Sequence, residues 1–157
     1  MIDLLAFERR AVTDSERLVR RFFSEAINRH DLDLFDELCS QDYIWHGGSD
    51  PGAIGDVHGL ERFKAAVATF FTAFPDLEAT ILDTVAAEDK VAVRFVERGT
   101  HEGTFVGIAP TGRRVEFYGM GIYRVESGKL VEEWFIDDSR AIFEQIGAIP
   151  ELRETGV

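Results

Sequence analysis

Residues 94–138 read RFVERGTHEGTFVGIAPTGRRVEFYGMGIYRVESGKLVEEWFIDD, and this stretch decides the fold. β-Branched and aromatic residues dominate it, as they do in strands that bury one face. Turn-forming residues interrupt it at 109–112 (APTG) and at 126–129 (ESGK). The pattern predicts three successive antiparallel strands, with the imidazole of His101 and the carboxylate of Asp138 at opposite ends of the run.

A helical pattern precedes the strands. The segment Thr13-Asp14-Ser15-Glu16 has the form of a capping box. Behind it, apolar residues recur at helical spacing as far as Ile27, which predicts an amphipathic helix of about four turns. The other predicted elements are helices over 31–38, 59–74 and 139–146, a strand over 42–46, and a hairpin over 77–86 and 90–98 that precedes the three strands.

The order of these elements predicts an α+β fold. Helices come first and a long meander of strands follows, so the helices should pack on one face of a curled, mostly antiparallel sheet. A chain of 157 residues is expected to form a single domain. We therefore predict one domain over 1–157, with an N-terminal extension at 1–12 and a tail at 148–157.

The composition argues against two classes of partner. The formal net charge is −12, with 29 acidic against 17 basic residues, whereas a nucleic-acid backbone requires clustered cations. No stretch reaches the ~18 apolar residues of a membrane-spanning helix. Cys39 is the only cysteine, which excludes a disulfide framework and favours a reducing compartment. The sequence predicts a cytoplasmic protein that binds neither nucleic acid nor membrane.

The strongest candidate for chemistry is Asp138. A carboxylate close to the apolar side chains of Trp134 and Ile136 would lose water, and desolvation raises the pKa of an acid toward the range useful for proton transfer. His101 could then orient this acid or share its proton. The alternative is structural, because aspartate is a favoured N-cap residue and a helix is predicted to begin at Ser139.

Metal binding has little support in the sequence. The four histidines never occur at i, i+4 spacing, and no HExxH motif is present. His46 stands between an aromatic residue and two glycines, where a structural role is the commoner one. Glycine-rich nucleotide-binding motifs and the GxSxG motif of serine hydrolases are also absent. We expect no metal and no cofactor.

Residues 98–113, RGTHEGTFVGIAPTGR, resemble the GTHxGxFxGxxPTGR signature of the SnoaL-like polyketide cyclase family, which is part of the nuclear transport factor 2-like superfamily. The resemblance extends over most of the chain. It includes residues 74–77 and 89–94 upstream, residues 123–125 and 128–134 downstream, and finally Asp138 and Gly147.

This resemblance implies a cone-shaped α+β barrel with a deep apolar pocket and a sheet-to-sheet homodimer. Characterised cyclases of the family close a ring by intramolecular aldol condensation, without a metal or a cofactor. A carboxylate at the end of their last strand is the general acid/base, and Asp138 matches it, with Asp137 as its neighbour. The histidine of the GTH motif matches His101, and a histidine after the early strand matches His46.

The predicted ligand is a small hydrophobic molecule in an aromatic pocket. Asp138 and His101 are the predicted catalytic pair. The predicted substrate-binding residues are His46, Trp45, Phe71, Phe95, Phe105, Tyr118, Met120 and Trp134. The alternative is a binding or dimerisation module that keeps the fold without catalysis, because a fold does not determine function.

Overall fold

The computed structural model describes residues 12–47 and 55–150. Its helices are α1 (Asp14–Arg21), α2 (Leu34–Leu38), α3 (Leu60–Ala73) and α4 (Ser139–Gln145), and a π-helical turn (Phe22–Ile27) continues α1. The predicted extension at 1–12 and tail at 148–157 lie largely outside the described residues. In the part of the chain that the structure describes, no helix has the length and apolar character needed to cross a membrane.

One curled sheet of six strands forms the centre of the fold. The strands are β1 (Cys39–His46), β2 (Asp56–His58), β3 (Glu78–Ala87), β4 (Lys90–Thr100), β5 (Arg114–Glu126) and β6 (Lys129–Asp137). Their order is β2-β1-β6-β5-β4-β3, with β1 and β6 parallel and the other neighbours antiparallel. The predicted α+β fold with a curled, mostly antiparallel sheet is confirmed.

The first helix begins as predicted but ends differently. Thr13 Oγ1 accepts a hydrogen bond from the Glu16 amide at 3.1 Å, and Glu16 Oε2 accepts one from the Thr13 amide at 2.9 Å, which completes the capping box. After Arg21 the helix widens into the π-helical turn. The wider turn lets two consecutive aromatic residues, Phe22 and Phe23, both face the core, where they are buried.

The two faces of the sheet differ because side chains alternate along each strand. On β5, Val115, Phe117 and Tyr123 are buried, whereas Tyr118 and Met120 between them are exposed. The concave face carries the buried set and packs against the helices, and the opposite face is open. We call this open side the outer face, formed by Tyr118, Met120, Ile122, Trp134 and Ile136.

Two strands, not three, follow the predicted hairpin. Residues 101–113 form a loop between β4 and β5, in which the only ladder contact is a bridge between Phe105 and Ile108. The chain leaves the sheet here because the amides of Glu102 and Gly103 both donate to the carbonyl of Ala73, each at 3.0 Å. This loop satisfies the C-terminal end of α3, which would otherwise lack a hydrogen-bond donor.

Gly103 is the position at which this loop tolerates no side chain. A Cβ built there would lie 2.1 Å from the carbonyl oxygen of Thr72. We expect Gly103→Ala to lower the free energy of unfolding by about 1–3 kcal/mol, because either the loop or the end of α3 must move. Urea denaturation measures this change.

Gly107→Asn is the matched control for the same loop. Gly107 has a φ of +79°, no contact lies within 4 Å of the position that a Cβ would take there, and asparagine tolerates the left-handed region. We expect this variant to lose less stability than Gly103→Ala. Equal stability of Gly103→Ala and the wild-type protein would contradict the assigned role of Gly103.

Candidate active site

A cavity of about 440 Å³ lies between the concave face of the sheet and the helices. This volume suits a small organic ligand. Most of its wall is apolar and aromatic, with contributions from the π-helical turn, α3, the 101–113 loop, β6 and α4. The aromatic residues that line it are Phe22, Phe23, Trp45, Phe63, Phe70, Phe71, Phe105, Tyr123, Phe135 and Phe143.

Three acidic side chains also line this cavity. Glu97 comes from β4, and Glu133 and Asp137 come from β6. Among the described residues that line the cavity, none is a lysine, an arginine or a histidine. An apolar cavity with a few convergent polar groups of this kind is typical of a ligand-binding or active site.

Glu133 is held by two tyrosine hydroxyls. Tyr43 Oη donates a 2.6 Å hydrogen bond to Glu133 Oε2, and the Tyr123 hydroxyl also hydrogen-bonds to this carboxyl group. The Glu133 side chain is only 2% exposed. Burial raises the pKa of Glu133 to about 7, although the two hydroxyls act in the opposite direction by stabilising the ionised form.

Glu97 is also buried, with 8% of its surface exposed. Burial is the main cause that raises its pKa to about 8, and the nearby charges of Asp137 and Glu133 add to the effect. Glu97 is therefore mostly protonated at neutral pH. The sequence analysis did not predict either buried glutamate. Both occupy inward-facing positions on apolar strands, and an acidic residue at such a position is the signal that could have identified them.

Asp137 ends β6 and faces the cavity. The hydroxyl of Ser139 donates a hydrogen bond of 2.6 Å to Asp137 Oδ1. Such a bond fixes the orientation of the carboxyl group. Asp137 thus places a carboxyl group at the end of the last strand, against an apolar wall that contains Phe135 and Ile142.

Asp138, the predicted general acid/base, is not among the residues that line this cavity. Its Oδ1 accepts a 3.0 Å hydrogen bond from the amide of Ala141, so it is the N-cap of α4, and its side chain is exposed. Consecutive residues at the end of a strand point to opposite sides. The structural alternative for Asp138 is therefore the one observed, and the adjacent Asp137 takes the inward position.

His101 does not line the cavity either. It is fully buried, and its Nδ1 accepts a hydrogen bond from the Thr111 amide at 3.3 Å and contacts Thr111 Oγ1 at 3.0 Å. Its ring packs against Phe74 and Phe105. His101 thus connects the two ends of the 101–113 loop, and the structure does not bring His101 and Asp138 together in this cavity.

The predicted substrate-binding residues divide between three locations. Trp45, Phe71 and Phe105 line the cavity. Phe95 lies in the core, where it packs against Phe23 and Phe135. The remaining four, which are His46, Tyr118, Met120 and Trp134, lie on the opposite side of the sheet, because each occupies the outward phase of its strand.

His46 belongs to a charged cluster on that outer side. Its Nε2 lies 2.9 Å from Glu132 Oε1, its Nδ1 lies 3.1 Å from Asp56 Oδ2, and its ring stacks on Trp134. The hydrogen bond to Glu132 is the main cause that raises the pKa of His46. Over residues 12–47 and 55–150, no group of three or more His, Cys, Asp or Glu side chains is arranged to hold a metal ion.

The buried glutamates make stability depend on pH. Their folded-state pKa values of about 8 for Glu97 and about 7 for Glu133 exceed the ordinary value of 4.5. Their contribution to stability is fully present below the ordinary value and is lost as pH rises through 7 and 8, because the unfolded chain ionises first. As pH rises from 4.5 to the raised pKa of a given glutamate, that glutamate should reduce the free energy of unfolding by about 1.4 kcal/mol per pH unit.

We therefore expect Glu97→Gln to make this decline shallower by about 1.4 kcal/mol per pH unit. Urea unfolding at a series of pH values measures the slope. Glu78→Gln, which makes the same chemical change at an exposed site on β3, should leave the slope unchanged. Identical slopes for Glu97→Gln and wild type would contradict the raised pKa of Glu97.

Comparisons with known proteins identify the family of this chain. The family model described as SnoaL-like polyketide cyclase matches residues 17–146. Aklanonic acid methyl ester cyclase DauD of Streptomyces sp. (strain C5) is 29% identical over 136 residues, which cover 83% of this chain and 80% of DauD. A pathogen-related protein of Hordeum vulgare is 36% identical over 76 residues, which span 46% of this chain and 32% of that protein.

Solved structures support the same fold. AclR of Streptomyces galilaeus, a proposed hydroxylase, has a TM-score of 0.79 and 27% identity, covering 92% of this chain and 87% of AclR. The family model and the cyclase relative DauD support a cyclase-type role for the chain.

Proposed function

This chain belongs to the SnoaL-like polyketide cyclase family, and we propose that it closes a ring in a small hydrophobic substrate by intramolecular aldol condensation, without a cofactor. The observation that carries the proposal is the position of Asp137. Its carboxyl group ends the last strand, accepts a hydrogen bond from Ser139 and lines an apolar cavity of about 440 Å³. A carboxylate in such a place is suited to move a proton to or from carbon.

The proposed reaction begins with the folding of the substrate against the aromatic walls. This brings a carbon that carries an acidic proton next to a carbonyl carbon of the same molecule. Positioning of this kind can lower the barrier by about 7 kcal/mol. Asp137 removes the proton to give an enolate, the enolate carbon attacks the carbonyl carbon, and the alkoxide oxygen that forms accepts a proton as the ring closes.

The charge of the cavity favours an uncharged substrate. The described residues that line it include no lysine, arginine or histidine, so a substrate carboxylate would find no cation in the cavity wall to pair with. The relative DauD is named for a methyl ester, in which the acid is uncharged. We therefore propose an ester, not the corresponding free acid, as the substrate form.

The central test is Asp137→Asn. We expect kcat for a polyketide methyl ester to fall by about 10²–10⁴-fold, because the amide cannot accept the proton, while ester binding stays close to that of wild type. Product formation followed by chromatography, together with ligand titration, measures both quantities.

Asp138→Asn is the matched control, because it makes the same change one residue away. Asparagine is as good an N-cap as aspartate, so folding and activity should be retained. If Asp138→Asn lost activity while Asp137→Asn kept it, the assignment would be reversed.

The alternative function is a non-catalytic binding module with the same cavity. It predicts tight binding of hydrophobic esters, no product, and the same affinity in wild type and Asp137→Asn. Binding without turnover across a panel of aromatic polyketide esters would favour this alternative over the enzyme.

We also propose that the protein forms a homodimer through the outer face of the sheet. The five apolar side chains of this face are each between 37% and 59% exposed, and they lie on the adjacent strands β5 and β6. Contiguous apolar surface of this kind often marks an interface. A second copy would cover it with the same residues, as two-fold symmetry requires.

Met120→Glu tests the dimer. The exposed methionine lies in the middle of the outer face, so a charge there should convert a dimer into a monomer, as measured by analytical ultracentrifugation. Ile149→Glu places the same charge at an exposed site beyond α4 and should leave the dimer intact. A monomeric wild-type protein would contradict the proposed assembly.

A further inference from the structure

We propose that Glu97 is a second catalytic group, the acid that protonates the carbonyl oxygen while Asp137 accepts the proton from carbon. The two carboxyl groups then form a pair that holds one proton between them. This inference rests on the proposed function and adds to it the source of the second proton.

The sheet brings the two groups to the same wall. β4 and β6 are the two neighbours of β5, and both side chains occupy inward-facing positions. Glu97 is paired with Phe117 of β5, and Asp137 is paired with Gly119, two residues further along the same inward face. Both carboxyl groups line the cavity, so one substrate could contact both.

The surroundings of the pair favour a single shared proton. Glu133 from β6 and Tyr123 from β5 interact with Glu97, and Asp137 also borders a second pocket that Arg94 and Asp138 line. The helical walls contribute apolar side chains and the hydroxyls of Thr69 and Ser139. The charges of Asp137 and Glu133 both oppose the ionisation of Glu97, so full ionisation of the pair is unfavourable.

Burial indicates which member keeps the proton. Ser139 donates a hydrogen bond to Asp137 and orients that carboxyl group. Glu97 is the more deeply buried group, and its pKa is raised to about 8. Glu133 is less suited to the acid role, because the hydroxyls of Tyr43 and Tyr123 both hydrogen-bond to it and stabilise its ionised form.

The proton balance of the reaction closes within this pair. Asp137 takes the proton from the substrate carbon, and that carbon forms the new C–C bond to the carbonyl carbon. The π electrons of the carbonyl move to oxygen, which takes the proton of Glu97. The pair ends with the proton on Asp137 and the charge on Glu97, and transfer of one proton between them, directly or through a water molecule, restores the starting state. No oxidant, reductant or net proton is required.

The first test needs no substrate. In protein labelled with ¹³C at the glutamate carboxyl groups, NMR should show one resonance that titrates near pH 8 and is missing in Glu97→Gln. In Asp137→Asn the same resonance should titrate at lower pH, because one negative charge facing Glu97 is gone. If Asp137→Asn left this midpoint unchanged, the two groups would not share a proton and the inference would be wrong.

The second test is kinetic. Glu97→Gln should lower kcat for a methyl ester by about 100-fold, leave KM within a few-fold of wild type, and remove the loss of activity above about pH 8. Glu78→Gln, an exposed glutamate on β3, should behave as wild type.

The outcomes separate the two proposals. Full activity of Glu97→Gln with inactive Asp137→Asn would overturn the role of Glu97 and leave the proposed function standing. Full activity of both variants, or the absence of turnover by the wild-type protein, would overturn the proposed function and the role of Glu97 together.

Discussion

The hydrogen bond from Tyr43 to Glu133 is the contact on which the interior depends. It joins β1 to β6, the one parallel pair among the described strands, and it lies between residues that are almost completely buried. A carboxyl group at this depth is tolerated because hydroxyls satisfy it, whereas an unpaired one would be strongly destabilising. With Glu133 held in this way, β6 can carry a second acid, Asp137, to the end of the cavity.

The cavity and its acids oppose stability. A core filled with leucine and valine, in place of the cavity and its acids, would bury the same strands without an empty volume and without a buried ionisable group. Groups whose protonation is shifted by burial occur most often at functional sites. The same burial that lowers stability as pH rises keeps Glu97 protonated near neutral pH, so one physical cause links the pH dependence of folding to the proposed chemistry.

Much of the architecture was predictable because local patterns and tertiary packing agree. The capping box at Thr13 and Glu16, the apolar stripe of the first helix, and the period of two from residue 77 each depend on neighbours within a few positions. The π-helical turn at Phe22 escaped prediction because it follows from packing two adjacent rings on the sheet. The 101–113 loop was also not predicted, because it depends on a tertiary contact. The amides of Glu102 and Gly103 donate hydrogen bonds to the carbonyl of Ala73 and not to a neighbouring strand.

The sequence by itself determined the fold class, the family signature and the presence of a carboxylate at the end of the last strand. Only the tertiary structure decided which carboxylate faces the cavity, because Asp137 and Asp138 are adjacent and alternation sends them to opposite sides. The tertiary structure also places Glu97 and Glu133 with Asp137 in the wall of the cavity, and it places Tyr118, Met120 and Trp134 on the outer face of the sheet. The sequence shows that side chains alternate along a strand. Which alternate set faces the core depends on contacts between residues that are far apart in the chain.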